Sequence, residues 1–274
     1  MNALTVDVPP DLTADLVPVL ASLPDDFRVS ADGEGGDVLV VDGRLADWPA
    51  RLERSLEDVR GVLLLDPGAP EVLAADGDVD VLRDLASRSA ATAVPVVVDR
   101  RWSGAPGVAG FAREFGTSTA SASSVSVLVV EADLSRSCED AAVDALGLAR
   151  AAGAAAGRLS RFHGRRGSWS AQGTTVQGAP LHLMGVLSAA GGGATVTASS
   201  ASWQTAVSVP HPHSAAPAVA RRTDEAGERL LPTEFEGASR AAWRRLRALL
   251  RDGAGRAADL SELAEDLALL RGAV

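Results

Sequence analysis

The apolar run Val96-Val97-Val98 ends in Asp99-Arg100-Arg101-Trp102, which sets a carboxylate, two guanidinium groups and an indole side by side. Arginine presents a rigid donor fork suited to anionic or polyhydroxylated ligands. It stays protonated at physiological pH, however, and cannot act as an acid or base. That distinction governs the whole chain, which has no lysine and no tyrosine, so that all 26 basic side chains are arginine. Schiff-base chemistry, a phosphate-holding P-loop lysine and a lysine or tyrosine proton relay are excluded. A second grouping, Asp140 and Asp144, has i, i+4 spacing on the helix expected over Cys138–Ala151. It reads either as a paired-carboxylate site or as two solvated helix acids.

Asp66-Pro67-Gly68-Ala69-Pro70 follows the apolar run Val62–Leu65. Strand-end loops of this kind are where α/β folds place ligands; the plain alternative is a Pro/Gly turn. His163, inside Arg161-Phe162-His163-Gly164-Arg165-Arg166, belongs to a basic cluster that holds a phosphate or carboxylate, or is a surface patch where a strand turns. His182 is expected on the polar face of a strand. His211-Pro212-His213 brings two imidazoles close with no third ligand, and Cys138 is alone, so no metal site is expected. Asp32-Gly33-Glu34-Gly35-Gly36 carries a GxGG pattern with two acids ahead of a strand and reads as a hairpin-like loop. The serine-rich stretches lack a Gly-x-Ser-x-Gly nucleophile elbow.

These residues need elements to position them. Strands are expected at Leu4–Val8, Phe27–Ser30, Asp37–Val41, Val62–Leu65 and Val94–Val98. They alternate with helices at Asp11–Leu23, Trp48–Asp58, Asp78–Ser89 and Gly107–Phe115. Continuous apolar strands separated by helices predict a Rossmann-like, doubly wound parallel sheet in a domain over residues 1–120. The small, polar Gly116–Ser124 segment reads as a hinge. Beyond it come strand Val125–Val130, helix Cys138–Ala151 and strands Leu159–Phe162, Ser168–Gln172, Leu181–Leu187, Ala194–Ala198 and Ala206–Val209. Alternation in Thr195-Val196-Thr197 favours an antiparallel sheet, and helices Phe235–Leu250, capped by Asp252-Gly253, and Asp259–Leu270 close an α+β domain over 121–274. Few charges on the Leu181–Leu187 and Ala194–Val209 strands point to a homodimer formed through this sheet.

A net charge of −10 argues against nucleic-acid binding, and no apolar stretch is long enough to span a membrane. The opening Met1–Thr5 lacks the basic start and apolar run of a signal peptide, so a cytoplasmic protein is expected.

The order of elements, with the terminal stretch Leu231–Gly237 through Leu260–Leu270, resembles the glucose–fructose oxidoreductase / inositol dehydrogenase family of NAD(P)-dependent enzymes. That family opens with a strand and a Gly-rich turn holding the cofactor pyrophosphate. Here Thr5–Val8 runs into Pro9-Pro10-Asp11, with no glycine and with Asp7 and Asp11 repelling phosphate. The family's strand ending in Glu-Lys-Pro, whose lysine orients and protonates the substrate, is matched by Asp99, Arg100 and Arg101. Its helix carrying a catalytic histidine is matched by Glu139–Gly147, where Ala141 stands at the histidine position if Asp144 aligns with the acid that follows. The resemblance implies catalytic positions at Asp99, Arg100, Asp140 and Asp144. It also implies cofactor-side positions at Asp66 and Pro67 and substrate-side positions at Arg101 and Trp102, with the tryptophan stacking on a sugar ring, all converging in a cleft. NAD(P) is the cofactor if there is one. The resulting expectation is a divergent member that has lost standard NAD(P)-dependent catalysis and acts as a binder of a polar small molecule or a non-catalytic partner of an intact homologue. The alternative is an active NAD(P)-dependent sugar or cyclitol dehydrogenase with altered residues; a third is an unrelated two-domain scaffold.

Overall fold

The computed structural model describes residues 3–23, 25–30, 35–67, 78–134, 136–165, 167–189, 191–212, 214, 216–252 and 257–273. The chain divides into two compact units, Met1–Asp99 with Ser239–Ala264, and Arg100–Ala238 with Glu265–Val274.

In the first unit, β1 (Leu4–Asp7), β2 (Phe27–Val29), β3 (Val38–Asp42), β4 (Gly61–Leu65) and β5 (Val96–Asp99) form a five-stranded sheet ordered β2-β1-β3-β4-β5. Every pairing is parallel. Helices α1 (Thr13–Ala21), α2 (Trp48–Ser55) and α3 (Asp78–Thr92) make the crossovers. Buried runs such as Val62-Leu63-Leu64 are the sequence mark of strands covered on both faces. A further helix, α6 (Ala238–Asp252), returns late in the chain and supplies Ala242, Trp243 and Leu246 to the core with Leu16, Leu20, Phe27, Val40 and Leu63. Trp243 meets Phe27 edge-on, with centroids 4.9 Å apart.

The second unit is built on an eight-stranded sheet, ordered β13-β12-β11-β10-β6-β9-β8-β7. Its strands are β6 (Ser124–Glu131), β7 (Ala156–Arg165), β8 (Ser168–Thr175), β9 (Pro180–Leu187), β10 (Gly193–Ser199), β11 (Trp203–Pro210), β12 (Val219–Asp224) and β13 (Gly227–Leu230). All neighbours are antiparallel except β6 and β9. Helix α5 (Cys138–Ala151) packs across β6 to β10, and α4 (Pro106–Ala120) packs on β11 and β12. Residues Ala141 to Ala149 of α5 are all buried, and its small side chains let the helix sit close to the sheet. On β6, Val125, Val127 and Val129 are buried while Leu128 is 44% exposed, so one sheet face lies under helix and the other is open. The last helix, α7 (Asp259–Arg271), passes from one unit to the other after Ala264.

Both the parallel sheet and the mostly antiparallel one match expectation, but three features differ. The expected hinge at Gly116–Ser124 is largely helix, because α4 runs on to Ala120 and buries Thr119, whose hydroxyl donates to the Phe115 carbonyl. The boundary between units falls after Asp99 rather than at 120, since α4 packs on the second sheet and α6 belongs with the first. The β12–β13 hairpin was not anticipated from its charged sequence.

Candidate functional site

In the first unit, β1 sits between β2 and β3, so successive connections leave it in opposite directions. That switch point is where doubly wound sheets bind ligands. β1, β3 and β5 each end on an aspartate (Asp7, Asp42, Asp99), and Asp66 follows β4. A hollow of about 330 Å³ lies against the β1 end, lined by Asp7, Val8, Pro9 and Pro10, by Leu39 to Val41 of β3, and by Arg51, Arg54 and Ser55 of α2.

The turn after β1 does not fit a dinucleotide pyrophosphate. Pro9 and Pro10 have no N–H. Beyond Asp11, the Leu12 N–H is used by the Pro9 carbonyl at 2.9 Å and the Thr13 N–H by that of Pro10. A 3-10 turn over Pro10–Leu12 therefore replaces the exposed helix N-terminus that would face a phosphate, and Asp7 and Asp11 add negative charge.

At the β3 end, Arg44 grips Asp42 through Nε and Nη2, both at 2.8 Å. Burial opposes the Asp42 charge, but hydrogen bonds from the Arg44 side chain and backbone outweigh it and hold the carboxyl below its ordinary range. Gly43 permits the next contact: a Cβ there would lie 2.6 Å from the Leu65 carbonyl, to which the Gly43 N–H donates. Asp66 adopts a left-handed φ of 42°, and its N–H donates to the Asp99 carbonyl at 3.1 Å. Burial raises the Asp99 carboxyl from 3.8 to about 6; the Asp66 charge pushes the same way, while a Ser239 hydrogen bond and the Arg245 charge pull against them. Asp99 can thus hold or release a proton near neutral pH. Pro67 is buried beside Asp66. Residues 68–70 of this loop, 32–34 of the GxGG pattern, His213 and Gly253 lie outside the described residues.

The second unit places its predicted residues in two ion-pair clusters along one face of α5, which carries Asp144, Gly147 and Arg150 at i, i+3 and i+6. Arg100 is 8% exposed and donates to Asp266 at 2.7 Å, and Arg150 donates to the other oxygen of Asp266 at 2.8 Å. A Cβ on Gly147 would overlap the Arg100 guanidinium, so glycine makes the room for it. In the other cluster Arg101 donates to Glu131 at 2.8 Å, and Arg136 lies 2.8 Å from Asp144 and 3.5 Å from Glu131. Glu131 is fully buried, and desolvated carboxylates of this kind require such partners. Asp140 completes a capping box with Ser137, each accepting the other's N–H at 3.0 Å. Asp144 is 5% exposed, so these are not two solvated acids. Trp102 is fully buried, its ring edge-on to His211 at 6.2 Å, which leaves no face for a sugar.

Sequence reasoning therefore named Arg100, Arg101 and Asp144 but not the partners that hold them. Glu131, Arg136, Arg150 and Asp266 were missed, as were Arg44 and Ser239 in the first unit. The one available signal was Gly147, a helix-weakening residue inside an alanine- and leucine-rich helix. Among the described residues no group of three or more His, Cys, Asp or Glu is arranged to hold a metal ion, and no helix is long and apolar enough to cross a membrane.

No protein-family model and no curated protein matches the sequence. Solved structures do. An oxidoreductase from Sinorhizobium meliloti superposes with a TM-score of 0.74 at 11% identity, over 100% of this chain and 97% of that one. A 3-ketoreductase from Actinomadura kijaniata, in complex with NADP and TDP-benzene, gives 0.71 at 11% identity over 99% and 97%. An aldose–aldose oxidoreductase from Caulobacter crescentus gives 0.64 at 11% identity over 99% and 88%. The likeness is one of fold. It extends over essentially the whole chain and agrees with the architecture that the order of elements implied.

Proposed function

We propose that this oxidoreductase-fold protein binds a polar small molecule and has lost standard nicotinamide-dependent catalysis, acting as a ligand-binding or non-catalytic partner protein. One observation carries the reading. Where the resembled family has a phosphate-cradling turn and a catalytic lysine, this chain has two prolines and an arginine fixed in a buried ion pair. A cationic side chain that is always protonated and already bound to Asp266 supplies no proton to a substrate. The open face of the second sheet, with Leu128 and Met184 each 44% exposed and Val186 and Val219 each 40%, supports a homodimer built through it.

A second reading, an active NAD(P)-dependent sugar or cyclitol dehydrogenase with altered residues, is favoured by the comparisons. Two of the matched structures are a ketoreductase and an aldose oxidoreductase, and the first holds NADP. Asp99 favours it too, because its carboxyl exchanges a proton near neutral pH. Incubation with NADPH and a panel of keto-sugars, and with NADP and a panel of polyols, separates the two by absorbance at the nicotinamide band. The first reading predicts no turnover above a denatured control. Turnover that disappears in Asp99→Asn would establish the second.

A further inference from the structure

The chain is acidic overall, with 36 aspartates and glutamates, yet Ala145–Thr223 contains none, while holding seven arginines and all four histidines. The structure concentrates part of this charge at one edge of the second sheet. On edge strand β7, Arg161, His163 and Arg165 alternate along the strand and are all exposed. Directly opposite them on β8 stand Gln172, Ser170 and Ser168, also exposed. Cross-strand partners project from the same sheet face, so a basic row runs beside a row of neutral hydrogen-bonding groups. Neither Arg161 nor Arg165 has an ion-pair partner among the described residues, in a protein where most other arginines do. A hollow of about 480 Å³ opens at the hairpin end, between His163, Arg165, Ser168 and Ser170. The hairpin is held in place from below, since the Cys138 thiol at the start of α5 lies 3.5 Å from the Arg165 carbonyl and 3.7 Å from that of Ser168.

Charged residues on an edge strand also deter edge-to-edge aggregation. That role is indifferent to sign and needs no cavity, whereas this region excludes every acid and places hydroxyls beside the cations. We propose that the β7–β8 hairpin binds a small multivalent oxyanion, with Arg161 and Arg165 as the charged clamps and Ser168 and Ser170 as neutral donors. Arg161 and Arg165 are four residues apart, about 13 Å along the strand with His163 between them, so their long side chains converge over His163 on a ligand with two or more anionic groups, where a single ion engages one.

Calorimetry at low ionic strength with inorganic pyrophosphate and, separately, citrate tests the site and distinguishes phosphoryl from carboxylate ligands. The expected result is saturable binding at one site per chain. Arg161→Ala and Arg165→Ala each weaken it tenfold or more and together abolish it, while Arg28→Ala, on an exposed arginine of β2, leaves it unchanged. All three positions are exposed, and unchanged thermal melts of the variants verify folding. No saturable binding of either anion, or binding that survives in the double variant, overturns the site. Equal weakening by Arg28→Ala reduces it to non-specific charge.

Discussion

Replacing Asp99 by asparagine isolates the most perturbed carboxyl at the parallel-strand ends. Its value rises from 3.8 to about 6 on folding, chiefly through burial. A shift of about two units corresponds to roughly 3 kcal/mol, at about 1.4 kcal/mol per unit. The sign follows from proton counts. Below pH 4 the carboxyl is protonated in both folded and unfolded chains and nothing is lost. Between about 4 and 6 the folded chain keeps a proton that the unfolded chain has released, so stability falls as pH rises. Above 6 the group is ionised and the full loss is present. Asparagine keeps an oxygen to accept the Ser239 hydrogen bond and cannot ionise. Urea unfolding of both proteins from pH 4 to 7.5 should therefore show the variant gaining on the wild type by roughly 3 kcal/mol across that range. The difference between the two proteins is the readout, because Asp37 and Asp42, whose carboxyls are held low, lose their contribution as pH falls and contribute equally to both. A difference that does not vary with pH, or one that favours the wild type at pH 7.5, would refute the reasoning.

Gly147→Ala should destabilise the second unit by about 1–3 kcal/mol through overpacking against Arg100, despite alanine's better helix propensity. Adding Arg100→Ala should remove that penalty, and a thermodynamic cycle by chemical denaturation checks both. Charges placed on the open sheet face by Leu128→Arg with Met184→Arg should convert a dimer to a monomer in light scattering; a wild-type mass that is monomeric at all concentrations contradicts the proposed assembly.

The strands of the first sheet were legible because VLVV, VLLL and VVV are continuous apolar runs, and that pattern has few other uses. Helix α5 was legible to the residue, since Ser137 caps it and Gly153, with a φ of 88°, follows it. β12 and β13 were not, because Arg221-Arg222-Thr223-Asp224 and Glu228-Arg229 form an exposed hairpin at a sheet edge, where no alternation of buried residues is required. The site was half legible. Residue type alone marked Arg100 as unable to exchange protons, but its partner Asp266 lies 166 positions away. No spacing rule reaches that far, and the burial that makes the pair structural depends on the whole second unit.

On the function proposed above, the turn after β1 does not accept a nicotinamide dinucleotide. Titration of the protein with NADH and with NADPH, followed by calorimetry and nicotinamide fluorescence, tests it directly. With Pro9 and Pro10 lacking N–H groups and the Leu12 and Thr13 N–H groups already bonded, the account predicts no saturable binding tighter than about 1 mM, equivalent to about −4 kcal/mol. A dissociation constant of about 1 μM or below for either dinucleotide would contradict it.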